Sequence, residues 1–259
     1  MLRRFDPARL RSMVGVAALV GVGAGLASAL LLSVTGEPLV RQAIAIEAAR
    51  STASAAVEPE LVSRAAQSGP GLFAGLGLVG AAFGVLLALT FWGLRRAQPD
   101  PFRRSLWAGV LLFGSITLLP WLKYPPNPPA VGDPDTIVRR QALYVSLIAL
   151  SLALGLVGVA LAGRLRRAGW PEPRRVAVLA VTGALAVGIA LAVLPAAPDP
   201  VTVPATPDPV TVPATLIWRF RLSSLGGNAV LWAVLSVGFG LLAAEASRQA
   251  QRPALARSS

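Results

Sequence analysis

Six apolar runs, at residues 13–34, 71–94, 106–122, 143–163, 176–194 and 223–244, constrain this chain more than any other feature. Each is near the roughly 20 residues that an α-helix needs to cross bilayer hydrocarbon. Hydrocarbon offers no water to a free backbone N–H or C=O, so such runs favour helices, which satisfy those groups internally. The fold class expected is all-α: a polytopic membrane bundle of six helices, forming a single domain over residues 1–259. Charged residues make up only 14% of the chain, too few to cover a soluble domain of this length. The first run also resembles a secretory signal, with Arg3 and Arg4 before it and a small-residue Ala27-Ser28-Ala29 site. Cleavage there would leave five helices, but apolar character continues through Leu30, Leu31 and Leu32 to Val34 and argues for a retained span.

The formal charge of +12 invites a nucleic-acid reading, which the placement of the arginines excludes. They flank the apolar runs in short clusters, as topology determinants do, and do not line a groove. Sixteen basic residues fall at the N-terminus (Arg3, Arg4, Arg9, Arg11), in the second and fourth connectors and in the tail. The other side carries eight: Arg41, Arg50, Arg64, Lys123, Arg139, Arg140, Arg219 and Arg221. The positive-inside bias therefore expects both termini in the cytoplasm. Acids run the other way, with Glu37, Glu47, Glu58, Glu60, Asp133, Asp135, Asp199 and Asp208 on the outer side. Those carboxylates either draw divalent cations to the entrance or simply solvate the loops.

Between the third and fourth runs lies a loop, residues 121–137, dense in proline. Pro125, Pro126, Pro128 and Pro129 cannot continue a helix, because proline lacks an N–H and crowds the residue before it. The stretch from Tyr124 to Ala130 should be extended and polyproline-like. Asp133-Pro134 then reads as a helix cap followed by a first-turn proline. A second outer connector contains residues 198–206 (PDPVTVPAT) repeated unchanged at 207–215, which predicts an extended spacer.

The proline loop closely resembles that of the CbtA family, integral-membrane subunits associated with cobalt uptake. Gly36-Glu37-Pro38-Leu39-Val40 with a short helix after it, Ser63-Arg64 leading into the second span, and Trp218-Arg219-Phe220-Arg221-Leu222 leading into the sixth are similar to the same family. The resemblance implies a membrane subunit of a cobalt uptake system, with cobalt as the transported ion and no resident cofactor. It also implies a partner, a small CbtB-like one-span subunit bearing a histidine motif. The duplicated spacer departs from the family pattern. A membrane scaffold whose outer loops bind a partner is the competing function.

The residues themselves limit the metal chemistry. The chain has no histidine and no cysteine, whereas borderline and soft metals favour imidazole and thiolate. Oxygen ligands at the outer mouth would come from Glu37, Asp133 and Asp135, with Asn127. Each acid has a plainer reading in a helix's first turn, where negative charge is favourable by about 0.3–1 kcal/mol. Lys123, Tyr124, Asn127, Arg219 and Arg221 are structural or gating candidates on the same side. Glu37, Lys123, Asp133, Arg219 and Arg221 are expected to converge, with the loop docked and at least one ion pair crossing between loops. The plainer reading of the WRFR segment is an interfacial anchor of headgroup-level aromatics and snorkelling arginines; the alternative pairs one of its arginines with Glu37 or Asp133. Asn228 faces either a water-filled interior or a neighbouring helix. Gly21 and Gly25 on the first span, and Gly77, Gly80 and Gly84 on the second, mark close helix packing. No charged residue lies within a span, which argues against a proton-relay pump, and no nucleophile–base pair or phosphate loop suggests an enzyme.

Overall fold

The computed structural model describes residues 10–51, 63–198 and 211–255, and among them every regular element is helical. The helices are α1 (Leu10–Thr35), α2 (Glu37–Ser51), α3 (Arg64–Arg96), α4 (Pro101–Lys123), α5 (Pro134–Arg167), α6 (Glu172–Val193) and α7 (Ala214–Leu255). Six of them, all but the short α2, are long and apolar enough to cross a membrane, as the apolar runs require. The expectations resting on Arg3, Arg4, Arg9, Glu58, Glu60, Asp199, Asp208, Arg257 of the tail and most of the duplicated spacer fall outside the described residues.

The helices run past the apolar stretches that specify them. α5 has 34 residues, or about 50 Å at 1.5 Å per residue, enough to pass through both headgroup layers. Caps set several of the ends. Asp100 accepts from the Arg103 N–H at 2.7 Å with Pro101 at the first helical position, and Asp133 does the same for α5 through the Asp135 N–H at 2.9 Å.

A kink at Gln67–Gly71, where Gly69 leaves the helical conformation (φ −104°, ψ −106°), interrupts α3, and a wide turn at Phe113–Leu118 interrupts α4. Each contains or precedes a proline, Pro70 or Pro120, whose ring would clash with the carbonyl four residues back in a regular helix. The non-helical Gly69 breaks the ladder before Pro70, and in α4 widening the helix by one residue removes the clash. In α4 it also presents Ser115 to α5, where its hydroxyl donates to the Ser151 carbonyl at 3.3 Å, and Thr117 to α7, where it accepts from Trp232 Nε1 at 3.2 Å.

The core lies among α1, α3, α4 and α7. Met13, Leu87, Leu231, Leu235 and Phe239 are fully buried there, Phe83 stacks on Trp232 at 4.8 Å, and Phe91 meets Phe239 edge-on at 5.2 Å. α1 and α3 touch backbone to backbone. A Cβ on Gly21 would lie 2.0 Å from the Gly80 carbonyl oxygen, and one on Gly25 would lie 1.9 Å from that of Leu76. The small residues thus form the seam expected of them, with dispersion between backbones replacing the hydrophobic force that lipid cannot supply. α4 and α7 meet in the same way: Ser105 donates to the Ser236 carbonyl at 2.6 Å, and Gly109 lies directly against the Ser236 side chain. α5 and α6 pair at the periphery, with Leu156, Val157, Val181, Leu185 and Ile189 all exposed on the face a bilayer would cover.

Candidate functional site

Prolines donate no backbone hydrogen bond, so Pro125, Pro126, Pro128 and Pro129 leave the loop with more carbonyl acceptors than N–H donors. Side chains must supply the difference. Arg221 of α7 donates from Nε to the Pro126 carbonyl at 3.3 Å and from Nη2 to Asn127 Oδ1 at 2.7 Å. In return Trp121 Nε1 donates to the Arg221 carbonyl at 3.1 Å. Trp121 also faces Trp218, with ring centroids 6.4 Å apart. The loop is therefore docked on the start of α7, as its stiff backbone favours.

The loop is tied equally firmly to α6. Lys123 Nζ donates to the Leu191 carbonyl at 2.7 Å, and the Tyr124 hydroxyl donates to the Pro195 carbonyl at 2.7 Å. The last carbonyls of a helix lack internal partners and carry negative partial charge, so a lysine there satisfies both needs. Burial raises the Tyr124 phenol above its usual pKa, which keeps the proton that this bond uses.

Ala130 then adopts a left-handed conformation, φ 65°, unusual for a residue with a Cβ. Its cost, of order 1 kcal/mol, is offset by packing Ala130 and Val131 onto Ala43 of α2 and Val212, Leu216 and Ile217 at the start of α7. This small apolar cluster joins α2, the loop and α7 at one end of the bundle.

The charges at this end are arranged differently from the expected convergence. Glu37, its side chain only 14% exposed, forms an ion pair with Arg64 at the start of α3. That pair does cross between loops, but its cation is none of those expected. Lys123, Arg219 and Arg221 make no ion pair with Glu37 or Asp133 among the described residues; Lys123 and Arg221 bind carbonyl and amide oxygens, and Arg219 is exposed. Asp133 caps α5, while its carbonyl accepts from Arg140 Nη2 at 3.1 Å, and Asp135 is exposed beside it. Among the described residues no three of His, Cys, Asp and Glu gather as a metal cage. Asn228 Nδ2 donates to the Ser224 carbonyl of its own helix at 3.0 Å.

A cleft of about 660 Å³ opens between the loop, the first turns of α5, Ala197-Pro198 and Arg221. It unites three of the sequence-derived candidates, Tyr124, Asn127 and Arg221, and leaves out Glu37, Asp133, Asp135, Lys123, Arg219 and Asn228. Arg140, Gln141 and Tyr144 complete its polar lining. The sequence marks Arg140 only as an outer-side charge; the available signal for this wall is that Tyr144 lies four residues after Arg140 and three after Gln141 on α5, so that each packs beside it. Arg64 carried no local signal, because its partner Glu37 lies 27 residues earlier.

No curated protein and no solved structure matches this chain. A family model described as "Probable cobalt transporter subunit (CbtA)" matches residues 10–244, a stretch that holds all the apolar runs, the docked proline loop and the WRFR segment. With nearly the whole bundle inside that match, the chain belongs to the CbtA family of probable cobalt transporter subunits.

Proposed function

We propose that this chain is the membrane-embedded subunit of a cobalt uptake system in a bacterial cytoplasmic membrane, working with a small one-span subunit that supplies histidines. The observation that carries the reading is compositional: a member of a cobalt-transporter family has no imidazole and no thiolate of its own. High-affinity capture of cobalt then requires donors from another chain. In this reading both termini face the cytoplasm, supported by the sixteen-to-eight distribution of basic residues. The proline loop and α2 then form the outer face, and Asp133, Asp135 and Glu37 are its mouth carboxylates. Glu37 is already engaged by Arg64, so the two aspartates are the stronger candidates for meeting a hydrated cation.

Radioactive cobalt uptake should fall to background when this gene is deleted and return only when it is supplied together with a one-span, histidine-bearing neighbour. Unchanged uptake, combined with loss of the neighbour from the membrane, would favour the scaffold function instead. Calorimetry on the purified chain alone should find cobalt binding no tighter than micromolar; a submicromolar site would sink the two-subunit reading. Topology is separately checkable. Reporters fused at Ser259 and within residues 198–215 should report opposite sides of the membrane, and agreement between them would contradict the six-span count.

A further inference from the structure

The cleft beside the proline loop has a wall chemistry that the cobalt reading does not use. Arg140 from α5 and Arg221 from α7 both line it, together with Asn127, Gln141 and Tyr144, and among the described residues no aspartate or glutamate does. Two guanidinium groups in one wall disfavour a bare divalent cation. The donors are also pre-positioned. Arg221 is held through Nε and Nη2, which leaves Nη1 without a partner among the described residues. Because Asn127 turns its Oδ1 toward Arg221, its amide NH2 faces away and is likewise unpartnered among the described residues. The remainder of the wall is apolar, including Ile137, Leu143 and Val145.

We propose that this cleft binds an oxyanion, a carboxylate or phosphate group carried on a partly apolar molecule. A planar guanidinium matches the two oxygens of such a group, and hydrogen bonds to an ionised acceptor are about twice as strong as neutral ones. Leu143, Val145 and the prolines accept the apolar body. Two sources present this chemistry. Ile137 and Val145 are 46% and 61% exposed where α5 begins, so the headgroup of an anionic phospholipid can enter from the bilayer side. A soluble carboxylate, including one that chelates a metal ion, can enter from the loop face. The proposal stands whether or not cobalt is the cargo.

The test uses the full chain in a neutral maltoside detergent. Native mass spectrometry reads retained phosphatidylglycerol, and calorimetry on lipid-stripped protein reads citrate binding. The wild type should hold at least one of the two. Leu143→Trp, which fills the cleft but keeps both arginines and every loop hydrogen bond, and Arg140→Gln should each weaken that binding by about tenfold or more. Phosphatidylglycerol that survives excess citrate assigns the lipid source, and citrate binding by the stripped protein assigns the soluble one. Failure of the wild type to hold either ligand with a Kd below about 1 mM overturns the proposal. So does binding that a folded Leu143→Trp protein retains in full.

Discussion

Alanine at Gly25 should markedly destabilise the protein, whereas alanine at Gly23, two residues away, should leave it as stable or slightly more so. The Gly25 Cβ would lie 1.9 Å from the Leu76 carbonyl oxygen and 2.6 Å from its carbon, atoms of a helix backbone that cannot rotate aside. A Cβ on Gly23 meets nothing within 4 Å. Intrinsic helix propensity favours alanine at both sites by up to about 1 kcal/mol, so any loss confined to Gly25 must come from forcing α1 away from α3. Overpacking costs about 1–3 kcal/mol even where side chains can yield, and here the whole seam must open. Gly84→Ala should behave like Gly25→Ala, since its Cβ would lie 2.1 Å from the Ala17 carbonyl oxygen. Thermal unfolding in detergent, followed by tryptophan fluorescence, would read the contrast. Equal Tm values for the Gly23 and Gly25 variants would mean that α1 and α3 do not pack as described.

Arg221→Met should release the proline loop while leaving the six helices folded. The substitution keeps an unbranched chain but removes the donors to the Pro126 carbonyl and Asn127 Oδ1, at a site that is only half-exposed. Hydrogen bonds from a charged donor contribute about 1.5–3 kcal/mol each, so the docked state should lose roughly 2–4 kcal/mol after allowance for partial solvent access. Arg221→Lys should recover little, because one ammonium cannot serve both acceptors as the guanidinium fork does. The measurement is hydrogen exchange or limited proteolysis across residues 121–137, compared with α1 and α3 as internal references. Protection of the loop unchanged in Arg221→Met would show that Lys123, Tyr124 and the apolar cluster hold it without the arginine. Cobalt uptake in the same variant would show whether docking matters to transport.

These two expectations draw on different kinds of information. The seam was foreseeable from Gly21, Gly25, Gly80 and Gly84, because small residues at helical spacing in an apolar run have few other uses. The loop's conformation was foreseeable too, since proline dictates backbone geometry from within one or two residues. The particular role of Arg221 was not. It had been matched with a carboxylate on the ground of charge, but in a loop starved of donors the stronger demand came from uncapped carbonyls and one amide oxygen. The same holds for Lys123, which serves the end of α6 and not an acid.

Local causes were therefore legible in the amino-acid order alone. Six spans follow from hydropathy, and the start of α5 from Asp133-Pro134. Each depends on groups within about one helical turn of one another, where covalent geometry limits the choices. Which helix faces which, and which cation meets Glu37, depended on groups tens to hundreds of residues apart. Arg64 prevailed over Arg219 and Arg221 because α1 and α3 close along their glycine seam, while α7 presents Arg221 to the loop. Charge alone cannot make that selection, since any of the three arginines would neutralise the glutamate. The tertiary packing decided it, by bringing Arg64 within reach, committing Arg221 to the loop and leaving Arg219 exposed.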